Sequence, residues 1–210
     1  MSSKSVAVIT FSTRTPRVGP EVAALVKEYI AKDAEASGIK LASIDLADFK
    51  LPVFDEAVIP AMIPDKGTFK NPHSIAWSEA IKAHDAYVLV IPEYNYGVTG
   101  GTKNAIDYLK KEWDGKPAIV VSYGISGGKT ANEQVSNSLS MMGLRVAATK
   151  PQLAFQPQYG PDMYTAMFEG KLGEETKKEW AEKGSLEVLK AWDELKVLLA
   201  QEPAKEEAKA

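Results

Sequence analysis

The sequence predicts an α/β protein, a doubly wound parallel sheet with helices on both faces, and two observations carry that reading. Five short apolar runs, most of them rich in β-branched residues, punctuate the chain, and between them apolar residues recur at helical spacing. Parallel strands need long right-handed crossovers, so the alternation of the two patterns selects this architecture. No internal repeat accompanies it.

The elements follow in order. Val6-Ala7-Val8-Ile9-Thr10 reads as a buried strand, and Phe11 to Arg17 as the loop after it. Over 19–36, Val22, Leu25, Val26, Tyr29 and Ile30 recur at helical spacing, and Gly38 ends the helix. A weaker strand is expected over 41–46. The stretch 51–69, with Pro52, Pro60 and Pro64, reads as a long irregular excursion, a kind of loop uncommon unless functional. A helix over 71–83 then leads to the strongest strand, 86–91.

The same grammar repeats in the second half. A loop over 92–101, with three Gly and two Tyr, precedes a helix expected over 102–111. Residues 118–123 form the fourth strand and 124–128 its loop. Val135, Leu139 and Met142 mark a helix closed by Gly143, and 144–148 is the fifth strand. Residues 151–163 read as irregular. A helix is expected over 174–199, interrupted at Gly184, with Trp180, Leu186, Leu189, Trp192 and Leu195 toward the core. Residues 1–200 thus read as one domain. Residues 201–210 offer almost no apolar side chain beyond Ala and read as a disordered tail.

Composition narrows the chemistry. The 210 residues, 45% hydrophobic and 25% charged, suit one soluble domain with a substantial core. With no Cys, thiolate nucleophiles, disulfides and iron–sulfur clusters are excluded; with only His73 and His84, so is a multi-histidine metal site. A net charge of −3 argues against general nucleic-acid binding. No run approaches the ~20 apolar residues of a membrane span, and the N-terminus lacks the apolar length of a signal peptide. A cytoplasmic location is expected.

Of 25 basic residues only three are Arg, and two of them, Arg14 and Arg17, share the first loop. A guanidinium offers a planar fork for a phosphate, whereas cations at a helix N-terminus are otherwise poorly placed. Together with the hydroxyls of Ser12, Thr13 and Thr15 and the amides of a helix start, the loop suits a phosphate monoester. The alternative is a pair of surface cations. A dinucleotide-binding Gly-x-Gly-x-x-Gly turn would need glycines where Phe11, Thr13 and Pro16 stand.

In such sheets ligands bind beyond the carboxyl ends of the strands, so the loops after the first, third and fourth strands converge on one place. Tyr94 and Tyr96 in the second loop suit a flat heteroaromatic ring, or else ordinary packing at a loop edge. In the third, Gly124-Ile125-Ser126-Gly127-Gly128-Lys129-Thr130 approaches a Walker A loop, but Tyr123 stands where its first glycine belongs. The alternative for these glycines is an ordinary tight strand-to-helix turn.

Specificity comes from Ile91-Pro92-Glu93-Tyr94-Asn95-Tyr96-Gly97 followed by Gly101-x-Lys103-Asn104-Ala105-Ile106-Asp107-Tyr108, with Ser12-Thr13-Arg14 before Arg17, Trp77-Ser78, Tyr123-Gly124 and Gly127-Gly128 in support. Over about 6–148 the chain resembles the NAD(P)H-dependent FMN reductase family, flavodoxin-like quinone, azo and flavin reductases. The resemblance implies a flavodoxin-like sheet of order 2-1-3-4-5 and non-covalent FMN, with NADPH or NADH as co-substrate and a small-molecule electron acceptor. It also implies a homodimer, or a tetramer, whose partner helps close the site. By motif position, Ser12, Arg14, Arg17 and the amide near Val18 hold the FMN phosphate. Pro92, Glu93, Tyr94, Asn95 and Tyr96 line the isoalloxazine ring, and Gly124, Ser126, Gly127 and Gly128 complete its pyrimidine edge. Phe11, where many members carry Gly, is expected to add bulk to the floor of the phosphate loop.

A flavin-borne reaction fits the sparse side-chain toolkit, because the cofactor carries the hydride and the protein supplies position and polarity. No side chain need be catalytic. The implied course is ping-pong transfer through flavin N5. Two other readings share the fold: a one-electron carrier of the flavodoxin type, and a binding partner whose contacts depend on flavin redox state.

Overall fold

The computed structural model describes residues 3–63 and 69–201; all but the first residue of the tail expected over 201–210 lies outside the described residues, as do 64–68 of the excursion. Strand β1 (Ser5–Thr10) is followed by α1 (Gly19–Ala36), β2 (Lys40–Asp45), α2 (Pro72–Lys82), β3 (Ala86–Tyr94), β4 (Gly97–Val98), α3 (Gly100–Asp107), β5 (Pro117–Gly124), α4 (Lys129–Met141), β6 (Arg145–Val146), β7 (Gln152–Ala154), α5 (Pro161–Phe168), α6 (Glu174–Glu179) and α7 (Ser185–Ala200). One 3-10 turn, Leu46–Phe49, follows β2 directly, and another, Pro60–Met62, lies in the excursion.

The sheet order is β2-β1-β3-β5-β6, with parallel pairing throughout this path. Counted over the five core strands this is the expected 2-1-3-4-5 of a flavodoxin-like sheet. The fifth strand differs: β6 pairs only Arg145 and Val146 with β5, and β7, inside the stretch read as irregular, pairs the upper half of the same strand. Two short segments share one edge because residues 147–151 leave and rejoin it.

Period-two alternation sorts the strands onto two cores. Val6, Val8, Val88, Val90, Ile119 and Val121 face α1 and α7; Ala7, Ile9, Tyr87, Leu89, Ile91 and Val120 face α2, α3 and α4. Phe11 continues the second set. It is fully buried and meets Trp77 edge-on with ring centroids 6.4 Å apart, so its bulk enters the core and not the floor of the phosphate loop.

Helix α1 spans the expected 19–36, and Gly38 at φ +67° takes the left-handed turn that ends it, with Ile39 N donating to Ala34 O. Helix α3 stops at Asp107, four residues earlier than expected. Beyond 151, α5 replaces the last part of the irregular stretch; Pro161 stands in its first turn, where a missing N–H costs nothing. The 174–199 helix is broken by one wide π turn over Trp180–Gly184. Trp180 and Trp192 both pack internally: Trp180 Nε1 donates to Ala154 O at 2.7 Å, and Trp192 Nε1 to Asp33 of α1 at 2.7 Å. Leu186, expected inward, is 65% exposed, and Val188 takes the buried position.

Candidate functional site

The carboxyl ends of β1, β3 and β5 open on one cavity of about 490 Å³, within the range of small-molecule sites. Ser12, Arg14, Arg17 and Val18 come from the first loop, Pro92, Glu93, Tyr94 and Asn95 from the end of β3 and the turn after it, and Tyr123, Gly124 and Ile125 from the end of β5 and its loop. A fourth side was not foreseen. Phe155 and three residues of α5, Met163, Ala166 and Met167, supply it. The available signal was Pro161, a residue favoured in a helix's first turn.

The first loop is shaped by its own contacts. Ser12 is 2% exposed, and among the described residues its Oγ has no hydrogen-bond partner, an unusual state for a buried hydroxyl. Gly19 makes room for it: a Cβ there would overlap Ser12 Oγ and stand 2.8 Å from Tyr123 Oη. No side chain caps α1, and Pro20 removes one amide from its first turn. Burial pushes the Tyr123 phenol well above its ordinary value, so it stays a neutral donor at the cavity wall.

The two arginines differ. Arg17 donates to Ser12 O at 3.0 Å and to Asp45 Oδ2 at 2.7 Å, so its fork braces the loop against the end of β2. Arg14 spans the cavity mouth, from Tyr94 Oη at 3.3 Å to the Met167 carbonyl at 2.7 Å. Three of its five N–H bonds remain for a ligand.

After β3 the chain makes a hairpin: Glu93 pairs with Val98 and Tyr94 with Gly97, antiparallel. Asn95 (φ +50°) and Tyr96 (φ +58°) form its two-residue turn, both in the left-handed region such turns require. Asn accepts that region readily; Tyr does so at a cost. Tyr96 is 82% exposed and does not line the cavity. Ser126 is likewise exposed and outside the lining. Gly127 (φ +77°) and Gly128 (φ +71°) turn the chain into α4, where a Cβ would come within 2.9 Å of Gln152 or Ser122. Their glycine requirement is therefore explained by the turn, and only Gly124 of the four glycine-loop residues faces the cavity.

Among the described residues no group of three or more His, Asp or Glu is placed to hold a metal ion. An unpartnered buried hydroxyl, an uncapped helix start and a guanidinium with free N–H groups lie at one end of the cavity, with apolar and aromatic walls beyond. Those features fit a phosphorylated, flat-ringed molecule, and FMN is such a molecule.

A cofactor cradle at the switch point of a flavodoxin-like sheet defines the class, a nucleotide-cofactor α/β protein. Comparison with known proteins gives the family. The sequence model of NADPH-dependent FMN reductases matches residues 5–158, and the chain belongs to that family of oxidoreductases. It is 48% identical over 198 residues to the NAD(P)H-dependent FMN reductase ntnL of Nectria sp, covering 93% of this chain and 97% of that one. It is 39% identical over 145 residues to the NAD(P)H-dependent FMN reductase LOT6 of Saccharomyces cerevisiae, covering 67% and 76%. A solved structure of FerB, an NAD(P)H:(acceptor) oxidoreductase from Paracoccus denitrificans, superposes with a TM-score of 0.64 at 23% identity over 92% of this chain and 98% of that one, a likeness of fold.

Proposed function

We propose that the chain is an NAD(P)H-dependent FMN oxidoreductase that reduces quinones, flavins or related small acceptors by a ping-pong course. When bound, FMN would supply the redox chemistry, hydride transfer through flavin N5 between NADPH or NADH and the acceptor. The chain's residues bind, orient and polarise.

In this reading Ser12 Oγ, the free N–H groups of Arg14, the N–H groups of Arg17 not engaged by Ser12 O and Asp45, and the amide near Val18 hold the phosphate. The backbone from Pro92 to Asn95, with Tyr94 beside it, lines the ring, and Tyr96, exposed in the turn that follows, is the residue of this motif that stands outside the cavity lining. Gly124 meets the pyrimidine edge, and amides of the 124–128 turn stabilise negative charge that develops there, as preorganised donors do. Ser126, Gly127 and Gly128 shape that turn. A cytoplasmic location, a single domain and a homodimer or tetramer belong to the same reading.

The observation that carries it is the unpartnered Ser12 hydroxyl beside Arg14 at the head of α1. The test is titration of the apoprotein with FMN, comparing wild type with Arg14→Ala/Arg17→Ala. The double variant is expected to lose FMN affinity by at least about a hundredfold, two charge-assisted contacts being removed. Unchanged affinity would displace the phosphate site from this loop.

A further inference from the structure

Apart from Phe155, the residues on the fourth side of the cavity, Met163, Ala166 and Met167, lie beyond residue 158, outside the stretch the family model spans. Four contacts fasten that side down. Arg14 Nη1 donates to the carbonyl of Met167, in the last turn of α5, where carbonyls lack helical partners and favour a cation. Gly170, at φ +72°, lies against the phosphate loop so closely that a Cβ would stand 2.8 Å from Arg17 O and 2.9 Å from Arg17 N. Leu172 N donates to the Glu21 carboxylate in the first turn of α1 at 2.7 Å, and the Leu172 side chain is buried. At the other end Asp162 accepts from Thr176 N at 2.8 Å.

We propose that segment 160–172 is a flap that retains the flavin. It rests on the reading of the cavity as the FMN site and goes beyond it, because it assigns the cofactor's residence to a part of the chain no phosphate or ring contact requires. Arg14 is the link between the two: the same guanidinium that holds the flap has N–H groups left for the phosphate. Binding of the phosphate fixes Arg14 and so fixes the carbonyl it holds. Release of FMN requires the flap to lift, which breaks the Arg14–Met167 bond and uncovers Met163, Ala166 and Leu172, all buried in the closed state. The consequence is that FMN stays as a resident group and the acceptor comes to it.

The inner face of the flap is apolar, whereas its outer face carries Tyr164 and Phe168, both exposed and stacked with rings 7° from parallel. That pairing stiffens the short helix from outside, so the flap moves as a unit. Gly170 and Glu21 are therefore positioning residues: neither lines the cavity.

The experiment measures FMN release from the holoprotein, followed by recovery of free-flavin fluorescence after dilution, for wild type, Gly170→Ala and Glu21→Ala. A side chain forced into the left-handed region against Arg17 is expected to raise the release rate about tenfold. Loss of the Glu21 tether is expected to raise it several-fold, with FMN association and the melting temperature of the apoprotein little changed. Glu21→Ala decides the matter if Gly170→Ala fails to fold. Release at the wild-type rate in the folded variants overturns the flap. Wild type that never quenches flavin fluorescence overturns the FMN reading itself, and the flap with it.

Discussion

The carboxylate of Glu93 accepts the amide N–H of Ala131 at 2.9 Å, joining the end of β3 to the third residue of α4. Helix α4 has glycine at its N-cap and no side-chain cap of its own, so the charge at its N-terminus is answered from a neighbouring strand. The end of β3 and the turn after β5, two walls of the cavity, are thus tied together.

Glu93→Ala should cost about 1–2 kcal/mol of stability, the worth of a helix cap made by a charged acceptor. Glu93→Gln, which keeps an acceptor oxygen, should cost less than half of that. Urea denaturation of the two variants checks the order. Equal losses would mean that the interaction with Ala131 contributes nothing.

Ser12→Ala should act in opposite directions on the two forms of the protein. In the apoprotein its Oγ is buried without a partner, so removing it is neutral or slightly stabilising. With FMN the same change should weaken binding by about tenfold or more, a hydrogen bond to a charged group being lost. Thermal melts with and without FMN separate the two effects; a destabilised apoprotein with unaltered FMN affinity would contradict them.

Burial lowers the Lys116 ammonium from its ordinary 10.5 to about 8, against the opposing pull of Asp85 and Glu112. The unfolded chain keeps this proton to higher pH than the folded one, so stability rises from about pH 8 toward the ordinary lysine value. Measured against Lys116→Met, the gain should be on the order of 1–3 kcal/mol across that window. A stability difference that stays flat over those pH values would contradict the lowered pKa. Lys116 immediately precedes β5, at the opposite end of that strand from Gly124, so FMN affinity should not follow this change.

The strands and α1 were legible because the same apolar positions that make the pattern make the core: Val22, Val26 and Ile30 are fully buried, as are 86–91. Even the direction of Phe11 was available, since Ala7, Ile9 and Phe11 alternate onto one face. The role of Arg17 was not. Asp45 is 28 residues away, and only the register Thr10↔Asp45 between β1 and β2 brings its carboxylate to the loop. The fourth wall was hidden for a different reason: β7 has three residues and α5 eight, too few for a period to emerge, and both are positioned by long-range contacts such as Trp180 with Ala154.

The most direct measurement is the visible spectrum of the purified protein, reconstituted with FMN, before and after anaerobic NADPH and then NADH. Bound oxidised flavin should give its paired absorption bands, and reduced nicotinamide should bleach them, with colour restored by a quinone after the oxidised nicotinamide is removed. A protein that takes up no FMN, or whose bound flavin keeps its colour with both nucleotides, would contradict the account.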